Sequence, residues 1–242
     1  MITLIGTGHI FDLSSALIEI FDENLPETIC VELDRQRFNA LMMKNTNPEE
    51  YKNASKNAPI IYKMLARFQN NMAKEYGVNA GDEMLTAVKY AQSHQIPLEF
   101  IDMNAQKLFS NMLRAMSLSE KFKFLLSGIG GLFVSKKNVE IELKKIERET
   151  ESYIEQISKN FPTIKRTLID ERNNYMAKKL VKLNEEKEKI IACVGDGHIC
   201  GISKLMDQEN IEYTTIRLSE LRNMKIKTNS SMASFSMEYN EL

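Results

Sequence analysis

Ile190-Ile191-Ala192-Cys193-Val194-Gly195-Asp196-Gly197-His198 is the stretch that decides how this chain is read. Apolar residues run without alternation and stop at a Gly-x-Gly-His frame. A short continuous apolar run reads as a strand buried on both faces, as in a parallel sheet covered by helices. The same arrangement opens the chain, where Ile2-Thr3-Leu4-Ile5 leads into Gly6-Thr7-Gly8-His9. Glycine suits such turns because it accepts positive φ and lets other groups approach the backbone closely. Two strand ends carrying imidazoles, far apart in sequence, form a candidate site.

Working outward, the pattern predicts further strands over residues 28–33, 98–101 and 213–217. Helical spacing recurs between them, over 14–23, 35–44, 61–72 and 83–94. Alternating strands and helices indicate an α/β domain with a mixed, largely parallel sheet. The middle departs from this rhythm: residues 105–189 show no strand pattern and read as an all-helical insertion or lid. Within it a long amphipathic helix is broken at Pro162, and a second runs over 163–186. The glycines of Ser127-Gly128-Ile129-Gly130-Gly131 read as a helix–helix turn. The expected organisation is one domain over 1–218, with 219–242 as a flexible tail.

Composition narrows the function. The chain has 242 residues, 43% hydrophobic and 27% charged, with a net charge of −1. Those values suit a soluble globular protein and give no electrostatic reason to expect nucleic acid. Cys30, Cys193 and Cys200 are an odd count without a CxxC pair, which argues for a reducing interior and against a disulfide framework. No signal-like segment opens the chain. The apolar run over 124–134 is about half the length of a membrane span. A cytoplasmic location without a transmembrane segment is expected, and a homodimer is left open.

Ligands of parallel α/β sheets bind beyond the carboxyl ends of the strands. That rule selects His9, Glu32 with Asp34, Asp102 and His198. Two histidines and a carboxylate are the minimum shell for a divalent transition metal with open positions. The same groups also work without metal, one histidine as general base and a carboxylate orienting it. Each residue has a structural reading as well. Glu32 is able to pair with Arg35 or Arg37 at the surface, and Asp102 to favour the start of the next helix. His94, at a helix end, reads as solvent-facing and is given no role. Arg172 falls in the apolar stripe of Ile164, Leu168, Tyr175, Met176, Leu180 and Leu183. A buried guanidinium requires a partner, either a carboxylate such as Glu83 or Glu32 or a bound anion. Glu83 itself stands near the start of its helix as a cap or a site acid.

Taken in order, these segments resemble the TraB/PrgY (pheromone-shutdown) family, whose relatives include the Tiki metalloproteases, the erythromycin esterases and the haem-binding ChaN-like proteins. Gly6-Thr7-Gly8-His9 is similar to the family's first GxxH. Val31-Glu32-Leu33-Asp34 with Arg37 resembles its VEL-x-x-x-R pattern, and Gly81-Asp82-Glu83-Met84 its G-x-E-M helix. Phe100-Ile101-Asp102 looks like its next strand, and Glu171-Arg172-Asn173 with Met176-Ala177 like its E-R-(D/N)-x-x-M-A helix. Gly195-Asp196-Gly197-His198 matches the second GxxH. Met103 stands where the pattern often has arginine after the aspartate. The resemblance implies an erythromycin-esterase/ChaN-like fold with both GxxH turns facing one cleft. Through the Tiki relatives it also implies peptide hydrolysis dependent on a divalent ion such as Mn²⁺, Co²⁺ or Zn²⁺. On that implication His9 and His198 are ligands, Glu32 is a ligand or the base that activates water, and Arg172 orients Glu32 or stabilises the oxyanion. Glu83 and Asp102 are the further acids available to the chemistry. The partner is then a peptide or small-molecule substrate. Alternatives are a metal-independent esterase-like hydrolase and a non-enzymatic protein that sequesters a peptide or haem.

Overall fold

Ile190 to Val194 are each at most 2% exposed, because helices cover the central strand on both sides. The computed structural model describes residues 1–8, 12–55, 81–123, 155 and 158–224. Five strands form one sheet: β1 (Ile2–Thr7), β2 (Thr28–Val31), β3 (Leu98–Phe100), β4 (Ile190–Gly195) and β5 (Tyr213–Ile216). Their order is β3-β2-β4-β1-β5, and every neighbouring pair is parallel. The expected α/β class is the observed one, with a sheet parallel throughout its described strands. The strand predicted over 28–33 ends early. The Glu32 N–H still bonds the Cys193 carbonyl at 3.0 Å, but Leu33 N turns back to the Val31 carbonyl at 2.8 Å. The chain thus leaves the sheet at Glu32.

Helices build two layers around this sheet. On one face α1 (Ser14–Asn24) and α4 (Asp82–Ser93) lay Leu17, Phe21, Met84 and Val88 against Ile5, Ile29, Val31 and Ile191. Between them in sequence lie α2 (Arg35–Thr46) and α3 (Pro48–Ser55). On the other face α7 (Glu171–Asn184) and α8 (Asp196–Gln208) lay Met176, Leu180, Ile202 and Met206 against Leu4, Cys30, Ala192 and Val194. Each buried Leu, Ile or Val contributes about 1.5–3 kcal/mol. The alternation Ile191, Cys193 to one core and Ala192, Val194 to the other is the pleat read directly.

The described part of 105–189 before β4 is helical: α5 (Ala105–Ala115), residues 118–123, α6 (Pro162–Lys165), a π-helical turn (Arg166–Asp170), then α7. Pro162 begins a helix, at its first position, where its missing N–H costs nothing. The helices expected over 61–72 and most of 139–161, the glycine-containing joint at 127–131 and the end of the chain from 225 lie outside the described residues. Residues 218–224 are helical and Leu221 is fully buried, so packed chain extends past 218. No helix among the described residues is long and apolar enough to cross a membrane.

Glu120 ties two of these helical pieces together. The Ser117 hydroxyl accepts from Glu120 N at 3.1 Å while Glu120 Oε2 accepts from Ser117 N at 3.0 Å, a reciprocal capping box. The same carboxylate also accepts from Thr163 N at 2.8 Å and from the Thr163 hydroxyl at 2.9 Å. Burial would raise its pKa, but these hydrogen bonds more than offset it and lower the value from 4.5 to about 2. A carboxylate with a depressed folded pKa stabilises above its unfolded value and loses that contribution as pH falls through the folded one. Glu120→Gln should therefore cost about 1.5–3 kcal/mol at neutral pH. Its denaturation midpoint should then fall less steeply than wild type between pH 4.5 and about 2. Urea titrations across that window check both expectations; parallel acid limbs would contradict them.

Candidate functional site

β1 feeds α1 on one face of the sheet, while its neighbour β4 feeds α8 on the other. Adjacent strands whose connections depart to opposite faces open a crevice at the carboxyl edge, the usual place for a ligand. The described residues of both Gly-x-Gly-His frames stand there, with Gly6 in register with Val194 and Thr7 with Gly195. His9 lies outside the described residues. His198 falls in the first turn of α8 and is 5% exposed.

The glycines are needed here for room rather than for φ. Gly195 has φ −57°, an ordinary value. A Cβ on it would stand 3.3 Å from Glu32 Oε2, which accepts the Gly195 N–H at 2.6 Å. A Cβ on Gly6 would clash with the Asp196 carboxylate. That carboxylate lies over β1 and is gripped by Arg217 through Nε at 2.9 Å and Nη2 at 2.7 Å, and by Leu218 N at 2.9 Å. Burial opposes the charge, but these donors hold the Asp196 pKa below the usual range. The Asp within the second frame thus anchors the chain leaving β5.

Arg172 is the centre of the buried polar cluster. Its guanidinium forks onto Asp102, Nε to Oδ1 at 2.9 Å and Nη2 to Oδ2 at 2.8 Å, and Nη2 also donates to Glu32 Oε1. Nη1 donates to the Leu168 carbonyl at 3.3 Å. Burial would lower its pKa, yet Glu32 and Asp102 reverse that and raise it further. Asp102 also takes Arg37 Nη1 at 3.0 Å and Met103 N at 2.7 Å. At the same Glu32 oxygen, His198 Nε2 lies 3.6 Å from Oε1, and His198 Nδ1 is 2.6 Å from Asn173 Oδ1.

The sequence-selected residues divide accordingly. Glu32, Asp102, Arg172 and His198 meet in one cluster. Of the two partners expected for Arg172, the structure places Glu32 on it and adds Asp102. The surface pairing of Glu32 with Arg35 or Arg37 is replaced by burial, since Arg37 reaches the Glu32 carbonyl at 3.4 Å and the Asp102 carboxylate instead. Asp34 caps α2 through Gln36 N and Arg37 N and also takes Ala105 N. Glu83 is buried in the first turn of α4 at the same end of the sheet. Burial, then the Glu83 charge, push the Cys193 thiol up to about 12, which leaves it protonated and inert. His94 stacks on Tyr90 with ring centroids 4.0 Å apart, at the end of α4. Uniform helical projection misplaced part of the Arg172 stripe: Tyr175 is 38% exposed, and Asn173 is buried. The buried face of α7 runs through Asn173, Met176, Ala177 and Leu180, at ordinary helical spacing, and the π turn at Arg166–Asp170 changes only how Ile164 and Leu168 line up with it. Asn173 was not selected as a site residue. A signal existed, an amide one position from Arg172 on a packed helix, but only its partner reveals its role.

A parallel α/β sheet with a His–Glu–Arg–Asp cluster at its switch point defines the class of protein. The model of the TraB/PrgY/gumN family matches residues 1–215, and the chain belongs to that family. It is similar to an uncharacterized protein, MJ1365, of Methanocaldococcus jannaschii, 30% identical over 213 residues that cover 85% of this chain and 53% of the relative. The chain thus spans about half the length of that relative.

Proposed function

We propose that the chain is a hydrolase of peptides whose site is the Glu32–His198 edge of this cluster, with a divalent ion as its cofactor. One observation carries the reading: His198 Nε2 and Glu32 Oε1 face each other at 3.6 Å while their other sides are held. Ligands sharing a tetrahedral ion at about 2.0–2.2 Å stand a little over 3 Å apart, so the two donors fit one ion. Among the described residues no group of three His, Cys, Asp or Glu is arranged to hold a metal, and His9 is the third ligand the family resemblance supplies. An ion held there would polarise the scissile carbonyl and lower the pKa of water. The chain's own groups do the rest. Gly195 N–H and Arg172 hold both Glu32 oxygens in place, so Glu32 is oriented before substrate arrives. Arg172, fixed by Asp102, sets a permanent positive charge beside the point where an oxyanion develops.

A metal-independent reading has one observation in its favour. Arg172 already neutralises Glu32 at Oε1, the oxygen that faces His198, which suits a His–carboxylate pair acting on water directly.

Metal analysis of the purified chain tests the proposal, followed by titration of chelated protein with Mn²⁺, Co²⁺ and Zn²⁺ and a screen of fluorogenic peptides. The expected result is one ion per chain, lost in His198→Ala, with cleavage that needs the ion. Cleavage without any ion would move the reading to the metal-independent hydrolase. Neither an ion nor cleavage would remove both.

A further inference from the structure

We infer that Asn173 is a positioning residue that selects the tautomer of His198. Its Oδ1 is 2.6 Å from His198 Nδ1, and both side chains are buried. A carboxamide oxygen accepts, so a proton sits on Nδ1, and Nε2 is the nitrogen turned towards Glu32. A neutral imidazole with its lone pair at Nε2 is the form that binds a metal or takes a proton from water.

Local packing keeps Asn173 in place. α7 crosses α8 where Gly201 carries no side chain, and a Cβ there would clash with the Asn173 amide nitrogen and come within 2.9 Å of its Cγ. Gly201 occurs inside a helix, where it costs about 1 kcal/mol relative to alanine. Seating the amide against His198 accounts for it. Arg172 faces Glu32 and Asn173 faces His198 from a single helix. Adjacent residues on one helix thereby serve the two members of the site, one by charge and one by hydrogen-bond polarity.

This deepens the reading of His198 as a donor at Nε2, and its test separates the two. Long-range ¹H–¹⁵N correlation spectra of the metal-free protein report which ring nitrogen carries the proton, and the chain has only three histidines to assign. Wild type is expected in the Nδ1–H form. Asn173→Ala should give a tautomer mixture, and Asn173→Asp, which keeps an acceptor at the same place, should restore it. Gly201→Ala, which displaces the amide without deleting it, should shift the equilibrium as Asn173→Ala does, so the test survives if the latter fails to fold. Co²⁺ affinity should drop 10- to 100-fold in Asn173→Ala, as for other groups that orient a metal-binding histidine, and recover in Asn173→Asp. Wild-type His198 in the Nε2–H form, or a tautomer indifferent to position 173, would overturn the inference. If the tautomer follows Asn173 while no ion binds to wild type, the metal reading falls and the positioning role stands.

Discussion

Arg172→Met should destabilise the fold by about 3–5 kcal/mol, because it leaves two buried carboxylates without their shared cation. Glu32 and Asp102 are 5% exposed each and both rest on the same guanidinium. Arg172→Lys should recover only part of the loss, since an ammonium cannot reproduce a fork onto Asp102 together with a bond to Glu32. The double variant Arg172→Met/Asp102→Asn should cost less than the sum of its parts, because one of the orphaned charges has been removed with its partner. Urea unfolding of these variants and of Asp102→Asn alone measures this. A stability for Arg172→Met within error of wild type would mean that Gly195 N on Glu32, with Met103 N and the Arg37 guanidinium on Asp102, suffice to hold these carboxylates.

Glu32→Gln should separate chemistry from folding. The substitution keeps shape and an oxygen able to accept from Gly195 N, and Arg172 keeps its two bonds to Asp102. Stability should fall by only about 1–3 kcal/mol. Turnover should fall far more, with kcat/KM down about 10²- to 10⁴-fold if Glu32 handles the proton of the attacking water. Metal uptake should weaken as well, because the variant lacks the carboxylate that faces His198. Peptide cleavage measured beside thermal unfolding separates the effects. Wild-type turnover in this variant would take Glu32 out of the mechanism, whatever its place in the structure.

The relative sizes of these effects follow from position. Glu120 is held by neutral donors of Ser117 and Thr163, so losing its carboxylate strands no opposite charge and is a local event of modest energy. Arg172 stands between the sheet and α7, so removing it unbalances charges that have no water to turn to. Both sites are buried, and what decides the difference is whether an uncompensated charge is left behind.

Strand identity was legible because β1, β2 and β4 are buried on both faces and so carry unbroken apolar runs. The rule that ligands bind at the carboxyl edge then picked out Glu32, Asp102 and His198 without knowledge of contacts, since strand ends are local features. Arg172 was legible for a different reason: a charge within an apolar stripe is a local contradiction that demands a partner elsewhere. What could not be read was the pairing. Asp102 and Arg172 are 70 residues apart, and Glu32 and Arg172 are 140 apart. Nothing in the intervening chain states that they meet. Nor does the sequence announce a π turn, whose extra residue alters how Ile164 and Leu168 line up with the buried face of α7.

The sequence by itself thus determined the α/β class, the strand ends that offer chemistry and the family, since those depend on periodicity and on short motifs. Only the tertiary structure decided that Gly195 makes room for the Glu32 carboxylate, that Gly6 makes room for Asp196, and that Gly201 makes room for Asn173. Those are steric relations between segments far apart in the chain, and they exist only once the sheet has brought β1, β2 and β4 side by side and α7 has packed across α8.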